Sequence, residues 1–202
     1  MVLGASKIYY SICHFMDYHI QDSNVYNEIS LQLELGCFLR QERAMNVFFE
    51  KNVKEICKNY NKSFCKKEID ILLSAPYLNQ KSWFFAAVEL KYPRNGQHPE
   101  QMFSFIKDVK FLEQLVFGGC VNLGIAVFLA DDHLFWRGEK LDGVYGYFRN
   151  KEELHGKVRK PTGSSNECIE IDGKYVIDWN VIGNNKRYFV IRVEKNAPDL
   201  RP

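Results

Sequence analysis

The sequence predicts an α/β fold in which helices flank a mixed central β-sheet. Strand-like and helix-like segments alternate through the middle of the chain, and residues 121–129 (VNLGIAVFL) form a continuous apolar run typical of a central strand. The 202 residues, 46% of them apolar, are enough for one domain with a substantial core. We therefore expect a single domain over residues 1–202. Its core should lie at about residues 25–130, and a looser, β-rich C-terminal extension at about 131–202.

Two helices are predicted in the N-terminal part. Residues 6–20 place their apolar side chains on one side of a helix. A second helix is expected at about residues 25–41, with capping residues at 22–24 (DSN). The leucines at 31, 33 and 35 alternate as in a strand, but Phe38 and Leu39 continue the apolar set at helical spacing, which favours the helix.

Three strands and a long helix follow. The strands are predicted at residues 46–53 (NVFFEKNV), 68–73 (EIDILL) and 83–90 (WFFAAVEL), and residues 74–82 should form a turn-rich connection. Pro99 suits the first turn of a helix that extends to about Val116. Gly118 and Gly119 should end that helix before the apolar run.

The C-terminal part gives weaker signals. Short strand-like pieces occur at residues 135–136, 144–148, 170–171 and 187–193. Between them, residues 156–166 (GKVRKPTGSSN) are expected to form a basic, flexible loop. Basic loops of this kind bind nucleic-acid phosphates.

The amino-acid composition indicates the cellular compartment more than it indicates the function. The net charge is +2, from 27 basic and 25 acidic residues, and it neither requires nor excludes a nucleic-acid partner. The six cysteines have irregular spacing without a CxxC pair, which disfavours zinc and favours a reducing, cytoplasmic compartment. No apolar run reaches the roughly 18–20 residues of a membrane span, so no membrane partner is expected.

Charged residues at the end of an apolar strand raise the main functional question. Glu89 and Lys91 lie two positions apart, and therefore on one face of the strand. If the strands at residues 68–73 and 83–90 form a hairpin that turns near residues 79–80, Asp70 lies opposite Glu89. Two adjacent carboxylates repel unless a cation lies between them, and oxygen ligands suit Mg²⁺ or Mn²⁺. Lys91 could then position an attacking water or neutralise charge on a phosphate.

This arrangement resembles the PD-(D/E)XK nuclease superfamily, which has the restriction-endonuclease-like fold. The resemblance rests on Asp70, an 18-residue spacer and the tripeptide Glu89-Leu90-Lys91, with Ile69 in place of the family's proline, and it covers about residues 25–130. It implies a Mg²⁺-dependent endonuclease or exonuclease acting on DNA in restriction, defence or repair. The implied metal ligands are Asp70, Glu89 and the carbonyl oxygen of Leu90, while Lys91 positions the water.

The resemblance also implies further site residues. An acidic residue on the preceding helix often joins the metal site, and Glu34 is our candidate, with Glu28 as the alternative. Gln101 and Phe105 resemble the Gln-xxx-Tyr feature of the exonuclease branch, with Phe in place of Tyr. The residues expected to contact nucleic-acid phosphates are Lys107, Lys110, Lys157, Arg159 and Lys160.

Other interpretations remain open at this point. A non-cleaving nucleic-acid-binding subunit could retain the nuclease fold, and a metal-free interaction protein could use Glu89 and Lys91 as an ordinary ion pair. Asp131 and Asp132 could form a second acidic site, although capping the turn after the apolar strand is their expected role. His98 is expected to lie at a helix start. The sequence does not separate DNA from RNA, nor a monomer from a homodimer or a larger complex.

Overall fold

The computed structural model describes residues 4–21, 23–41, 45–58, 63–76, 83–94, 96–163, 167–183 and 185–195. Its helices are α1 (Ala5–His14), which a π-helical turn (Phe15–His19) continues, then α2 (Glu28–Gln41), α3 (Val53–Ile56), α4 (His98–Phe117) and α5 (Val144–Arg149). Its strands are β1 (Asn46–Asn52), β2 (Glu68–Pro76), β3 (Trp83–Lys91), β4 (Leu123–Ala130), β5 (Leu154–Arg159), β6 (Cys168–Tyr175), β7 (Asn180–Ile182) and β8 (Lys186–Val193).

Six strands form one mixed sheet in the order β1-β2-β3-β4-β8-β7. Strand β3 is parallel to β4, and every other neighbouring pair is antiparallel. The predicted α/β fold with a mixed sheet flanked by helices is confirmed. Residues 180–193 of the C-terminal part contribute two strands to this sheet.

Helices cover both faces of the sheet, which explains the continuous apolar run of β4. All eight residues of β4 are buried. One face packs against α4, whose inward side is almost entirely apolar, and the other packs against α1 and α2. A strand covered on both faces has no position that favours a polar side chain, so the few charged residues on neighbouring strands lie at strand ends.

Helix α2 begins later than the sequence predicts. Its start is fixed by a reciprocal pair of hydrogen bonds, in which the Ser30 N–H donates to Asn27 Oδ1 (2.8 Å) and the Asn27 N–H donates to Ser30 Oγ (2.9 Å). These bonds satisfy N–H groups that lack helical partners. The expected cap at residues 22–24 is therefore wrong, although Asp22 itself lies outside the described residues.

Two of the short C-terminal pieces are not strands. Phe135 ends a 3₁₀ turn (His133–Phe135) that Trp136 caps, and residues 144–148 lie in helix α5. Val144 and Phe148 are four positions apart, so a helix directs both side chains to one buried face. Phe148 joins an aromatic cluster with Phe105 and Phe128 against α4. This packing, rather than strand pairing, buries the apolar residues of the segment.

The expected flexible loop at residues 156–166 is wrong in its first part. Residues 154–159 form β5, which pairs with β6 in a two-stranded ribbon, whereas residues 164–166 lie outside the described part of the chain. Leu154 and Val158 are buried and Lys157 and Arg159 are exposed, as expected for a strand with one face on a core.

One disulfide links Cys57, at the end of α3, to Cys120, after α4. In the described part of the chain, Cys13, Cys37, Cys65 and Cys168 are free thiols. The sequence did not predict this bond, because its partners are 63 residues apart and only the fold brings them together. Disulfides are commoner in oxidising compartments, so this one does not support the expected reducing compartment. No helix among the described residues is long and apolar enough to cross a membrane.

Candidate active site

The pairing of β2 with β3 brings two carboxylates together. Ile71 lies opposite Val88, and the next pair outwards in the same register is Asp70 with Glu89, as predicted. The Leu90 N–H donates to Asp70 Oδ2 (2.8 Å), and the Asp70 N–H lies 3.4 Å from Glu89 Oε1. Each side chain therefore accepts from the backbone of the other strand. Glu89 is only 1% exposed, whereas Asp70 is partly open to solvent.

Lys66 and Asp108 join these carboxylates, and no sequence motif marks either of them. Helix α4 places Asp108 over the face of the sheet that carries Asp70 and Glu89. The Lys66 ammonium lies 3.7 Å from Asp70 Oδ1 and 3.1 Å from Asp108 Oδ1, and it also forms an ion pair with Glu89. Lys66 lies two residues before β2, where no apolar pattern marks it. A lysine and an aspartate 42 residues apart in sequence give no local signal of this contact.

Glu28, and not Glu34, is the carboxylate that α2 brings to the site. Its Oε2 lies 3.2 Å from the Lys91 ammonium and accepts a 3.0 Å hydrogen bond from the Tyr92 N–H. No hydrogen bond or ion pair joins Glu34 to this cluster in the part of the chain that the structure describes. Gln32, one turn after Glu28, donates to the Asp70 carbonyl oxygen (2.6 Å). The first half of α2 therefore faces the strand ends.

Burial and mutual repulsion disfavour the charged forms of these carboxylates. Burial raises the pKa of Asp70, and burial together with Asp70 and Asp108 raises the pKa of Glu89 well above its ordinary value. Burial raises the pKa of Asp108 to about 6. Burial alone would lower the pKa of Lys66, but the three carboxylates outweigh it and raise that pKa. The ammonium of Lys66 therefore stays charged at neutral pH.

The ionised cluster has a deficit of positive charge. It consists of Glu28, Asp70, Glu89 and Asp108 with Lys66 and Lys91. Four negative and two positive charges leave a net charge of −2, which one divalent cation would balance. Asp108 Oδ2 is buried without a hydrogen-bond partner among the described residues. A buried carboxylate oxygen normally has a partner, so this atom also indicates an incomplete cluster.

The donor set fits a hard divalent cation chemically, since every anionic ligand is a carboxylate oxygen. However, the described residues contain no group of three or more histidine, cysteine, aspartate or glutamate side chains arranged to hold a metal ion. The Lys66 ammonium lies among Asp70, Glu89 and Asp108 and pairs with all three. The carbonyl of Leu90 remains a predicted ligand only.

Other predicted residues lie around this cluster in different roles. Phe105 is fully buried in the aromatic cluster under α4, so its role is packing. Gln101 lies in the first turn of α4, half-buried. Asp132 caps the following 3₁₀ turn, as expected, by accepting from the Leu134 N–H (2.9 Å), and it also contacts His98 Nε2 (2.6 Å). Asp131 accepts from the Tyr92 hydroxyl (3.0 Å).

Several of the predicted phosphate contacts are engaged within the protein. Lys107 and Lys160 both pair with Glu167. Lys110 lies 2.8 Å from Asp172 Oδ2. Lys157 and Arg159 project from β5 and are exposed.

A second basic surface, which we call the basic edge, lies beside Lys91, and no sequence motif marks it. It consists of Arg94, which also pairs with Asp131, and of Arg137, Lys186 and Arg187. The Arg94 guanidinium and the Lys186 ammonium lie 5.1 Å and 5.9 Å from the centre of the Tyr92 ring, and Arg187 lies 5.1 Å from that of Trp136. Strand β8 starts at this edge because it runs antiparallel to β4. The adjacent basic residues in NNKR, residues 184–187, were a weak signal of it.

Comparison with known proteins gives no relative. No protein-family model matches the chain, and no curated protein or solved structure matches it either.

Proposed function

We propose that this chain is a metal-dependent nuclease that hydrolyses phosphodiester bonds of DNA, on a core of the restriction-endonuclease-like type. The observation that carries this proposal is the six-residue cluster at one edge of the sheet, whose net charge with all four carboxylates ionised is −2 and matches one Mg²⁺ or Mn²⁺ ion. An ordinary structural ion pair would be balanced, because buried unpaired charge is costly. An excess of carboxylates, of which Glu89 and Asp108 are buried, is instead typical of a site that receives a cation.

Each residue has a role that its contacts support. Asp70 and Glu89 would hold the cation, which supplies charge neutralisation at the phosphate. Glu28 holds the Lys91 ammonium at the end of β3. The Lys91 side chain is 16% exposed, so its ammonium can reach a water molecule at the surface. That water oxygen bonds to phosphorus, and one bridging P–O bond breaks as its oxygen leaves.

The surroundings of the cluster support a nucleic-acid substrate. The basic edge adjoins Lys91 through Tyr92, whose ring lies against both Arg94 and Lys186. Lysine and arginine side chains supply most of the affinity for a phosphate backbone. A strand of nucleic acid along this edge would pass directly beside Lys91.

A cleavage assay tests the proposal. Plasmid, linear duplex and single-stranded DNA are incubated with Mg²⁺ or with EDTA, using the parent protein, Lys91→Ala and Lys174→Ala. Lys174 is an exposed ribbon lysine paired with Glu153, and it serves as the control. We expect metal-dependent cleavage that falls about 10²-fold in Lys91→Ala, the scale for one preorganised electrostatic group, and is unchanged in the control. Equal rates in parent and Lys91→Ala would refute the role of Lys91.

The ion pair between Lys66 and Glu89 favours a second candidate. In a non-cleaving nucleic-acid-binding subunit, the Lys66 ammonium would permanently replace the metal ion. Calorimetric titration with Mn²⁺ separates the two candidates, because the subunit predicts no binding. The nuclease predicts binding to the parent that weakens in Asp70→Asn and in Glu89→Gln.

A further inference from the structure

Lys66 has an unusual position for a surface lysine. Its ammonium contacts three carboxylates, two of which belong to nearly buried side chains: Glu89 is 1% exposed and Asp108 is 6% exposed. The Lys66 side chain is itself 32% exposed and reaches the cluster from the solvent side. It starts from a residue outside regular secondary structure, just before β2. The chain thus carries its own cation at the place where the carboxylates converge.

We propose that the Lys66 ammonium is an exchangeable occupant of the metal site. Metal binding displaces it from Asp70 and Glu89, and it then remains paired with Asp108 alone. This inference rests on the proposed function, because it assumes that Asp70 and Glu89 bind a divalent cation. It deepens that proposal by naming a residue that regulates access of the cation to the site.

The two cations exclude each other for two reasons. They require the same oxygen atoms, since Lys66 pairs with the Oε2 atom of Glu89 while the other oxygen of Glu89 faces the Asp70 N–H. The metal ion and the ammonium also repel each other strongly when they are about 4 Å apart in a site shielded from bulk water. A metal ion and the ammonium therefore cannot both lie between Asp70 and Glu89.

Asp108 provides the alternative position for the displaced ammonium. Its Oδ1 already lies 3.1 Å from Lys66 Nζ, and its buried Oδ2 has no hydrogen-bond partner among the described residues. A lysine side chain is a flexible chain of four methylene groups that ends in a compact charge. Its ammonium can therefore move from one acceptor to another without requiring a fixed hydrogen-bond geometry. The free Oδ2 atom gives Lys66 an acceptor that stays available after Glu89 and Asp70 turn to the metal.

Calorimetric titration with Mn²⁺ tests this exchange in the parent and three variants. Lys66→Met removes the charge at similar length, and Lys66→Gln removes it while keeping a hydrogen-bond donor. Lys67→Met is the matched control, because Lys67 is adjacent in sequence, exposed, and forms no ion pair with the cluster. We expect both Lys66 variants to bind Mn²⁺ at least tenfold more tightly than the parent, and the control to bind like the parent.

Thermal unfolding of the parent and Lys66→Met, with and without Mn²⁺, gives a second test of the exchange. Lys66→Met leaves three carboxylates without their ammonium, so its metal-free form should unfold at a lower temperature than the parent. Saturating Mn²⁺ should then raise the unfolding midpoint more in Lys66→Met than in the parent, since the metal restores the missing charge. An equal increase in both proteins would contradict the exchange.

Failure of this inference and failure of the proposed function give different results. Equal Mn²⁺ affinity in the parent and both Lys66 variants overturns the exchange while leaving the metal site intact. No Mn²⁺ binding in any of the proteins overturns both. Tighter binding in the Lys66 variants with no DNA cleavage by any protein supports the exchange and overturns only the nuclease.

Discussion

Glu28 and Glu34 illustrate how position along one helix decides which carboxylate can reach a site. Six residues separate them, which is about 240° around the helix axis. The sequence indicates that only one can face the strand ends, but spacing alone does not say which. The choice depends on where α2 begins, and the hydrogen bonds between Asn27 and Ser30 fix that start. Glu28 then lies in the first turn, beside Lys91.

The two glutamates therefore give a matched pair of variants. We expect Glu28→Gln to lower DNA cleavage at least tenfold, because the Lys91 ammonium loses the carboxylate that holds it in place. Glu34→Gln should change the rate less than twofold, a difference of under about 0.5 kcal/mol in barrier height. Single-turnover cleavage in Mg²⁺ measures both. A larger loss in Glu34→Gln than in Glu28→Gln would restore the choice made from the sequence.

Asp108 makes the stability of the metal-free protein depend on pH. Burial raises its pKa to about 6 in the folded protein, whereas an unfolded aspartate has its ordinary value of 3.8. Between these values the folded state binds more protons than the unfolded state, so the free energy of unfolding falls as the pH rises. Well below pH 3.8 the carboxyl of Asp108 is protonated in both states, and well above pH 6 it is ionised in both, so the free energy of unfolding changes mainly between these values.

Asp108→Asn should flatten this dependence. In EDTA, we expect the free energy of unfolding of the parent to fall by about 1 to 3 kcal/mol between pH 4 and pH 7 through this group. The variant should lose most of that fall, because an amide does not titrate. Urea unfolding at several pH values measures it, with the exposed Asp142→Asn as the control. A parallel fall in all three proteins would show that Asp108 does not cause it.

At the scale of elements, the sequence predicts best where two independent patterns agree. The register of β2 and β3 was predictable because the two apolar strand patterns and the turn predicted between them give one alignment, in which Asp70 lies opposite Glu89. The segments at residues 135–136 and 144–148 were misassigned because they are too short for a period to decide. Their structure depends on an aromatic cluster assembled from distant residues, including Phe105 and Phe128.

Glu113 attaches the β5–β6 ribbon to α4, and no sequence pattern predicts this contact. This fully buried carboxylate accepts hydrogen bonds from the N–H groups of Asp172 (3.1 Å) and Gly173 (2.6 Å) and from the Tyr175 hydroxyl (3.1 Å). A helix glutamate ordinarily faces solvent. Here it satisfies three donors of the ribbon at once, so the position of the ribbon depends on it.

Glu113→Ala should therefore destabilise the protein by about 2 to 4 kcal/mol, because it leaves three partly buried donors without an acceptor. Glu170→Ala, which removes an exposed carboxylate from β6, should change the free energy of unfolding by less than about 0.5 kcal/mol. Urea unfolding followed by circular dichroism gives both values. A loss in Glu113→Ala no larger than that in Glu170→Ala would mean that apolar contacts alone hold the ribbon.

At the scale of the whole molecule, the fold groups acidic and basic residues into separate surfaces, although their numbers are nearly equal in the sequence. The net charge of +2 gave no information about a nucleic-acid partner. The carboxylate cluster and the basic edge nevertheless lie side by side, where β3 and β4 end and β8 begins. The sequence could not predict this, because Lys186 and Arg187 reach the edge only once β8 pairs with β4. The first part of the basic loop predicted from the sequence, residues 156–159, is instead part of a ribbon that packs against α4.

Two double variants compare these basic surfaces. Lys186→Ala/Arg187→Ala removes two charges from the basic edge, and Lys157→Ala/Arg159→Ala removes two from the ribbon. Each phosphate contact contributes about 0.9 to the slope of log affinity against log salt. We expect the edge variant to flatten that slope by up to about 2, in proportion to the counterions no longer released. The ribbon variant should keep the slope of the parent.

Fluorescence anisotropy of a labelled duplex in EDTA, over a range of NaCl concentrations, gives each slope without cleavage. Thermal unfolding of both variants controls for packing, because Arg187 lies against the Trp136 ring. A flatter slope in the ribbon variant alone would place the nucleic acid on β5, as the sequence suggested. Flattening in both would mean that the duplex spans the edge and the ribbon. The expected result is a flatter slope in the edge variant alone. Because the cluster lies beside the basic edge, that result would bring the phosphate backbone directly to Lys91.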